Sequence, residues 1–320
     1  MITKKINRLS EILNKIDKAK HIVVISHINP DADSIGGASA MYSFLLQNHK
    51  KVSWFCKTQY IEKKLSFIPW FEKIKTSFPS SADLAISLDC ADKKRLGIEI
   101  ECELINIDHH ESNDNYGDVN LIQTNFISTT QVVYEFFKAN SVKINKKMAT
   151  ALYAGLLEDS DMFLSQNVDG TTFALAKELI ENGADFQLCN KNIAKSISLA
   201  ALRLKAIMLK NIFLECDARV AIFCVSDEDM KSSGALENDC KAALEEALYL
   251  PYVEVSLLLK QNSDFTIKGS LRSNSDVNVC KIAMQLGGGG HKNRAGFNIE
   301  SFVLLHDAKK RVLNLIKKEI

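Results

Sequence analysis

Four short apolar runs divide the first third of the chain, and most of them end on an ionisable residue. Residues 22–25 (Ile-Val-Val-Ile) are β-branched throughout, which predicts a strand buried on both faces. Residues 52–56, 84–88 and 104–107 are three further strands of the same design. The first runs into Ser26-His27, the third ends at Asp89, and the fourth ends at Asp108-His109-His110. Between the first two, Ile35, Ala38, Met41, Tyr42, Leu45 and Leu46 recur at helical spacing, with Asp33 or Ser34 as the expected cap. Strands alternating with helices predict an α/β fold around a doubly wound, mainly parallel sheet. Ligands of such sheets sit outside the carboxyl ends of the strands, where three of these four runs place Asp or His.

A helical region follows. Ser128-Thr129-Thr130-Gln131 is a capping signal for a helix through Phe136 and Phe137. An apolar helix over 148–157 delivers Glu158-Asp159-Ser160-Asp161, and another over 172–181 stops at Asn182-Gly183. Beyond a mostly helical stretch the pattern restarts, with strands over 219–225, 253–259 and 265–271 and a helix over 240–248. A last helix precedes Gly287-Gly288-Gly289-Gly290-His291. The expected organisation is a first domain over 1–190, a connector over 191–212, and a smaller α/β domain with a mixed sheet over 213–320.

Composition changes this picture little. With 46% hydrophobic residues, 25% charged residues and a net charge of +1, the chain has a globular composition and no broad basic field for a long duplex. A small anionic ligand held by a local constellation is expected instead. No two of the eight cysteines form a C-x-x-C pair, and no apolar run is long enough for a bilayer or a signal peptide, so buried thiols and a cytoplasmic location are expected. A homodimer is compatible with the sequence.

The chemistry lies in His27, Asp31, Asp33, Asp89, Asp108, His109, His110 and Asp159. Carboxylate oxygens mixed with imidazole nitrogens, without thiolates, suit Mn²⁺, Mg²⁺, Fe²⁺ or Zn²⁺ in a catalytic rather than a structural role. Any one of these residues alone could be a cap or a turn former. Their gathering at one sheet edge points to a pair of divalent ions that clamp a phosphoryl group. In the second half, the glycine run lets backbone amides approach a phosphate, while Arg272 offers a bidentate grip and Ser273 and His291 further donors.

The segment from His27 through Asp31 and Asp33 to Gly36 resembles the first motif of the DHH phosphoesterases, Asp89 their second, and Asp108-His109-His110 the triplet that names them. Residues 155–163 resemble the fourth motif, with Asp161 where the family usually has Gly and Glu158 where it usually has Thr. The resemblance implies that His27, Asp31 and Asp89 hold one metal. Asp33, Asp89, His110 and Asp159 would hold the other, with Asp89 bridging, His109 near the reacting phosphate and Asp108 orienting the histidines. Both ions would be Mn²⁺.

Gly288, Gly289, Gly290 and His291, with Arg272 and Ser273, resemble the nucleotide-binding site of the DHH-associated C-terminal domain. Arg294 stands where that domain commonly has Ala. The two-domain layout is similar to the nanoRNase A type of bifunctional oligoribonuclease. That likeness implies hydrolysis of very short RNA and linear dinucleotides, and dephosphorylation of 3′-phosphoadenosine 5′-phosphate. One domain would hold the scissile phosphate and the other a terminal phosphate and base. A cyclic dinucleotide phosphodiesterase would share every catalytic residue. A pyrophosphatase of the superfamily lacks the GGGH motif, and a non-catalytic nucleotide sensor would have lost a ligand.

Overall fold

The computed structural model describes residues 2–299 and 304–320; Met1 lies outside the described residues. The chain forms two compact units, Met1–Ser196 and Ile197–Ile320.

In the first unit, α1 (Ile2–Lys18) precedes β1 (His21–Ser26), α2 (Ala32–Gln47), β2 (Lys51–Phe55), β3 (Ile74–Lys75), β4 (Leu84–Leu88), β5 (Glu103–Asp108) and β6 (Val119–Ile122). The six strands pair in the order β3-β2-β1-β4-β5-β6, all parallel. Strand order reverses between β1 and β4, the switch point at which a parallel sheet opens a crevice at its carboxyl edge. His27 follows β1 and Asp89 follows β4, so the two residues flank that crevice.

Side chains alternate across the sheet. Ile22 and Val24 join a core with Ile35, Met41 and Leu45 of α2, while Val23 and Ile25 pack on the other face with Phe55, Ala85 and Leu96. The longer helices α3 (Thr129–Ala139), α4 (Lys146–Asp159) and α5 (Gly170–Glu181) contribute to the first core. A 3₁₀ turn (Lys93–Leu96) and loop residues such as Phe78 and Ile100 close the second. The cap of α2 is Asp31, not Asp33 or Ser34: its carboxylate accepts from the Ser34 amide at 3.0 Å, because Asp31 is the last extended residue before the helix.

After α6 (Phe186–Cys189) and a π-turn (Asn190–Ala194), the helical stretch breaks and resumes in the second unit as α7 (Leu199–Lys210). There follow β7 (Phe213–Glu215), β8 (Val220–Val225), α8 (Asp227–Ser233), α9 (Lys241–Glu246), β9 (Val255–Gln261), β10 (Ile267–Ser273), α10 (Val279–Met284), β11 (Gly289–His291), β12 (Arg294–Ile299) and α11 (Leu305–Ile316). Their sheet runs β11-β12-β10-β9-β8-β7 and is mixed, with β8 and β9 parallel and the other pairs antiparallel. Gly289 and Gly290 of the glycine run are thus part of an edge strand.

Candidate metal centre

Helix capping and strand ends build the centre. Asp89 leaves β4 in the left-handed region, at φ 59°, a conformation that costs most L-residues energy and that Asp tolerates better than most. It is 2% exposed, as deep as Asp33 and Asp108. Asp33, in the first turn of α2, is held by the start of α3. Its carboxylate accepts from the Thr129 amide at 2.6 Å, the Thr130 amide at 2.9 Å and Thr130 Oγ1 at 2.7 Å. Positive charge density at a helix start favours this placement.

Among the described residues, three overlapping groups of donors lie close enough to share a cation: His27, Asp31 and Asp89; Asp33, Asp89, His109 and Asp159; and Asp89, Asp108, His109 and His110. Asp89 belongs to all three, and every acid and histidine expected from the first unit is in at least one.

The two histidines of the triplet differ in what holds them. His109 Nδ1 lies 3.2 Å from the Phe126 carbonyl oxygen, and its Nε2 faces Asp159 Oδ2 at 3.2 Å and Asp89 Oδ1 at 3.7 Å. His27 follows the same plan, with Nδ1 2.9 Å from the Ile28 carbonyl and Nε2 3.4 Å from Asp89 Oδ2. A histidine whose other nitrogen is tied to a carbonyl is oriented for a metal. His110 instead gives Nδ1 to Asp108 at 2.8 Å. The group containing Asp33 and Asp159 includes His109, whereas the family resemblance implies His110 there and His109 beside the phosphate.

The electrostatics point the same way. Burial, and then the charge of Asp33, push Asp89 and Asp159 well above the ordinary carboxylate range. Burial works against a charged His27, but hydrogen bonds to Asp31 and Asp89 outweigh it and lift its pKa to about 10. Burial also opposes the charge of Asp108, yet His110, Asn113 and the His109 amide hold it below its usual value. Crowded, desolvated carboxylates interleaved with imidazoles form a donor set whose mutual repulsion a divalent cation would relieve.

Several supporting residues carried no sequence signal of their role. Asn113 Nδ2 donates to Asp108 Oδ2 at 2.6 Å, and Asn113 Oδ1 accepts from buried Asn106 at 3.0 Å. Arg95 Nη2 lies 2.9 Å from His27 Nδ1. Thr129 and Thr130 were legible only as a cap. Asp161, Met162 and Phe163 form a left-handed turn at φ 49°, 54° and 67°, the conformation for which a glycine at 161 is suited.

Glu158, next to Asp159 on α4, accepts the Ala32 amide and pairs with Lys64 Nζ at 3.5 Å. It thereby ties the turn bearing Asp31 and Asp33 to the end of α4. Glu158→Ala should weaken divalent-metal binding about tenfold, as losses of outer-shell partners do. Calorimetric titration of the metal measures this, and an unchanged affinity would show that the tie is dispensable.

The second unit holds the remaining expected residues. Arg272 and Ser273 end β10, and Gly289, Gly290 and His291 form β11. Gly288 lines an open groove of about 710 Å³ together with Lys268, Gly296 and Asn298. A Cβ on Gly288 would lie 2.1 Å from the Gly296 carbonyl oxygen, so this glycine is required for strand packing, whereas a Cβ on Gly289 would meet nothing within 4 Å. No described helix is long and apolar enough to cross a membrane.

Residues 21–156 match the DHH family, N-terminal domain, and residues 217–320 match the DHHA1 domain. The chain is 26% identical, over 99% of its length and 94% of the relative's, to the bifunctional oligoribonuclease and PAP phosphatase NrnA of Thermus thermophilus. It is 23% identical to the Bacillus subtilis protein of the same name, over 92% and 94%. An exopolyphosphatase-related protein from Bacteroides fragilis shares its fold, with a TM-score of 0.87 at 22% identity over 98% of this chain and 96% of that one. The fold extends at lower similarity to RecJ of Thermus thermophilus, solved with Mn²⁺, with a TM-score of 0.58 at 13% identity over 98% of this chain and 55% of RecJ. Each domain match falls within one compact unit, and the chain belongs to the DHH phosphoesterase family as an NrnA-like, metal-dependent member with a DHHA1 domain.

Proposed function

We propose that the chain hydrolyses very short RNA and linear dinucleotides to mononucleotides, and removes the 3′-phosphate of 3′-phosphoadenosine 5′-phosphate, with two Mn²⁺ ions. The observation that carries this reading is the end-to-end similarity to NrnA proteins together with an undiminished set of metal donors. In this reading His27, Asp31 and Asp89 hold one ion, and Asp33, Asp89, His109 and Asp159 hold the other. When bound, such a pair supplies a hydroxide at neutral pH and neutralises the phosphate oxygens. His110, its Nδ1 fixed by Asp108, presents Nε2 to a phosphate oxygen or the leaving group. Asn113 keeps Asp108 ionised and in place. Arg272 and His291 bind the nucleotide end of the substrate, with Ser273 and the backbone of Gly288, Gly289 and Gly290 beside them.

Incubation with 5′-pApA, 3′-phosphoadenosine 5′-phosphate, cyclic di-AMP and pyrophosphate, each with Mn²⁺ and with chelator, tests the proposal. Fast, chelator-sensitive turnover of the first two is expected. A preference for the cyclic dinucleotide would overturn the substrate assignment, and an inert protein would overturn the reaction.

A further inference from the structure

Arg272 on β10 and Arg294 on β12 are direct cross-strand partners, so the sheet register holds two guanidinium groups side by side. Like charges in directly opposed positions destabilise a sheet unless something lies between them. Here it is Glu245 of α9, whose Oε1 accepts from Arg294 Nη2 at 2.9 Å and lies 3.4 Å from Arg272 Nε. One negative charge against two positive charges leaves the pair under-neutralised. Arg272 is largely covered, its side chain 11% exposed, while Glu245 and Arg294 are open at 38% and 65%. The carboxylate can therefore swing into water without opening the core.

The surroundings favour a phosphate. His291 is the cross-strand neighbour of Arg294 on β11, so a third donor-bearing side chain starts from the same level of the sheet. By the two-residue alternation of strands, Gly296 and Asn298 lie on the same face as Arg294, and Lys268 on the same face as Arg272. These three residues line the open groove of about 710 Å³, whose lining does not include Arg272, Arg294 or His291 themselves.

We propose that Arg294 and Arg272 form a clamp for the terminal phosphomonoester of the substrate, and that Glu245 is the internal counter-ion this phosphate displaces. A phosphomonoester carries close to two negative charges at neutral pH and several acceptor oxygens, enough for two guanidinium forks. An internal diester carries one charge, which Glu245 already supplies. The clamp therefore selects substrates that end in phosphate over those that end in hydroxyl. Arg272 alone belongs to the subsite implied by the family; Arg294, where the family commonly has Ala, and Glu245 add the selection. The inference rests on the short-nucleotide reading above.

Steady-state kinetics on the Mn²⁺-loaded full chain with 5′-pApA and with unphosphorylated ApA gives the test. In Arg294→Ala the ratio of kcat/KM for pApA over ApA should fall about tenfold, the usual scale for a lost charge-assisted contact. In Glu245→Gln the ratio should rise, because the competing carboxylate is gone. A ratio unmoved in both variants overturns the clamp. If the wild type cleaves neither dinucleotide, the phosphoesterase reading fails, and calorimetry decides the clamp separately. Tighter binding of AMP than of adenosine by the Mn²⁺-loaded wild type should then shrink in Arg294→Ala, and an unchanged difference between the two ligands overturns the proposal.

Discussion

Asp89→Asn removes turnover while making the metal-free protein more stable. Asn keeps the shape of Asp, tolerates the left-handed backbone at this position, and can still accept the Thr129 hydroxyl bond, which spans 3.0 Å in the wild type. What it loses is the negative charge common to all three donor groups. On the proposed two-metal reading, losing the ligand shared by both cations should cost about 4 kcal/mol of transition-state stabilisation, roughly 10³-fold in kcat.

The stability effect has the opposite sign. In the metal-free fold, burial and Asp33 hold the Asp89 pKa above its unfolded value. Ionisation therefore opposes folding, and stability is lost as pH rises from the unfolded pKa through the folded one. An amide has no charge to bury, so scanning calorimetry in chelator should give a higher Tm at neutral pH. The same variant should lose most of the stabilisation that Mn²⁺ gives the wild type. Turnover within tenfold of wild type would overturn the proposal that Asp89 is shared by two ions. A lower metal-free Tm would contradict the electrostatic account.

That Asp89 was legible at all reflects how parallel sheets are built. Runs such as Ile-Val-Val-Ile over 22–25 stand out because both faces are buried, and whatever follows such a strand sits at the ligand edge. Two strands of the first unit lack that burial or length and carry no such signal. β6 is half-buried in alternation, and β3 is two residues long. Choosing between His109 and His110 was beyond the sequence for another reason. Adjacent residues point apart, and the choice depends on where the Phe126 carbonyl and the Asp108 carboxylate lie. Glu245 was equally hidden. It meets Arg272 and Arg294 from 27 and 49 residues away, with no local pattern to mark it. The glycine run carries no strand pattern, yet Gly289 and Gly290 join an edge strand because β12 offers its free ladder to them.

Gly155→Ala should damage the centre as severely as the loss of a ligand, although no ligand changes. Gly155 is in α4, where alanine would favour the helix by about 1 kcal/mol. Its added Cβ, however, would lie 2.5 Å from Thr130 Cγ2, 2.6 Å from Asp33 Oδ1 and 2.8 Å from Asp33 Cα. None of these atoms can yield alone, because three hydrogen bonds from Thr129 and Thr130 pin the Asp33 carboxylate to the start of α3. Either α2 and α4 separate or Asp33 leaves its place. Overpacking of this kind costs about 1–3 kcal/mol, and a ligand displaced by about 1 Å costs about 10²-fold in rate. The expected result is a lower Tm, a much smaller Mn²⁺-induced rise in Tm, and kcat reduced about 10²-fold or more. Gly170→Ala is the control: at the first position of α5 its Cβ meets nothing within 4 Å, so only the propensity gain should remain. If Gly155→Ala behaves like Gly170→Ala, close approach of α4 to Asp33 is not what sets the position of that carboxylate.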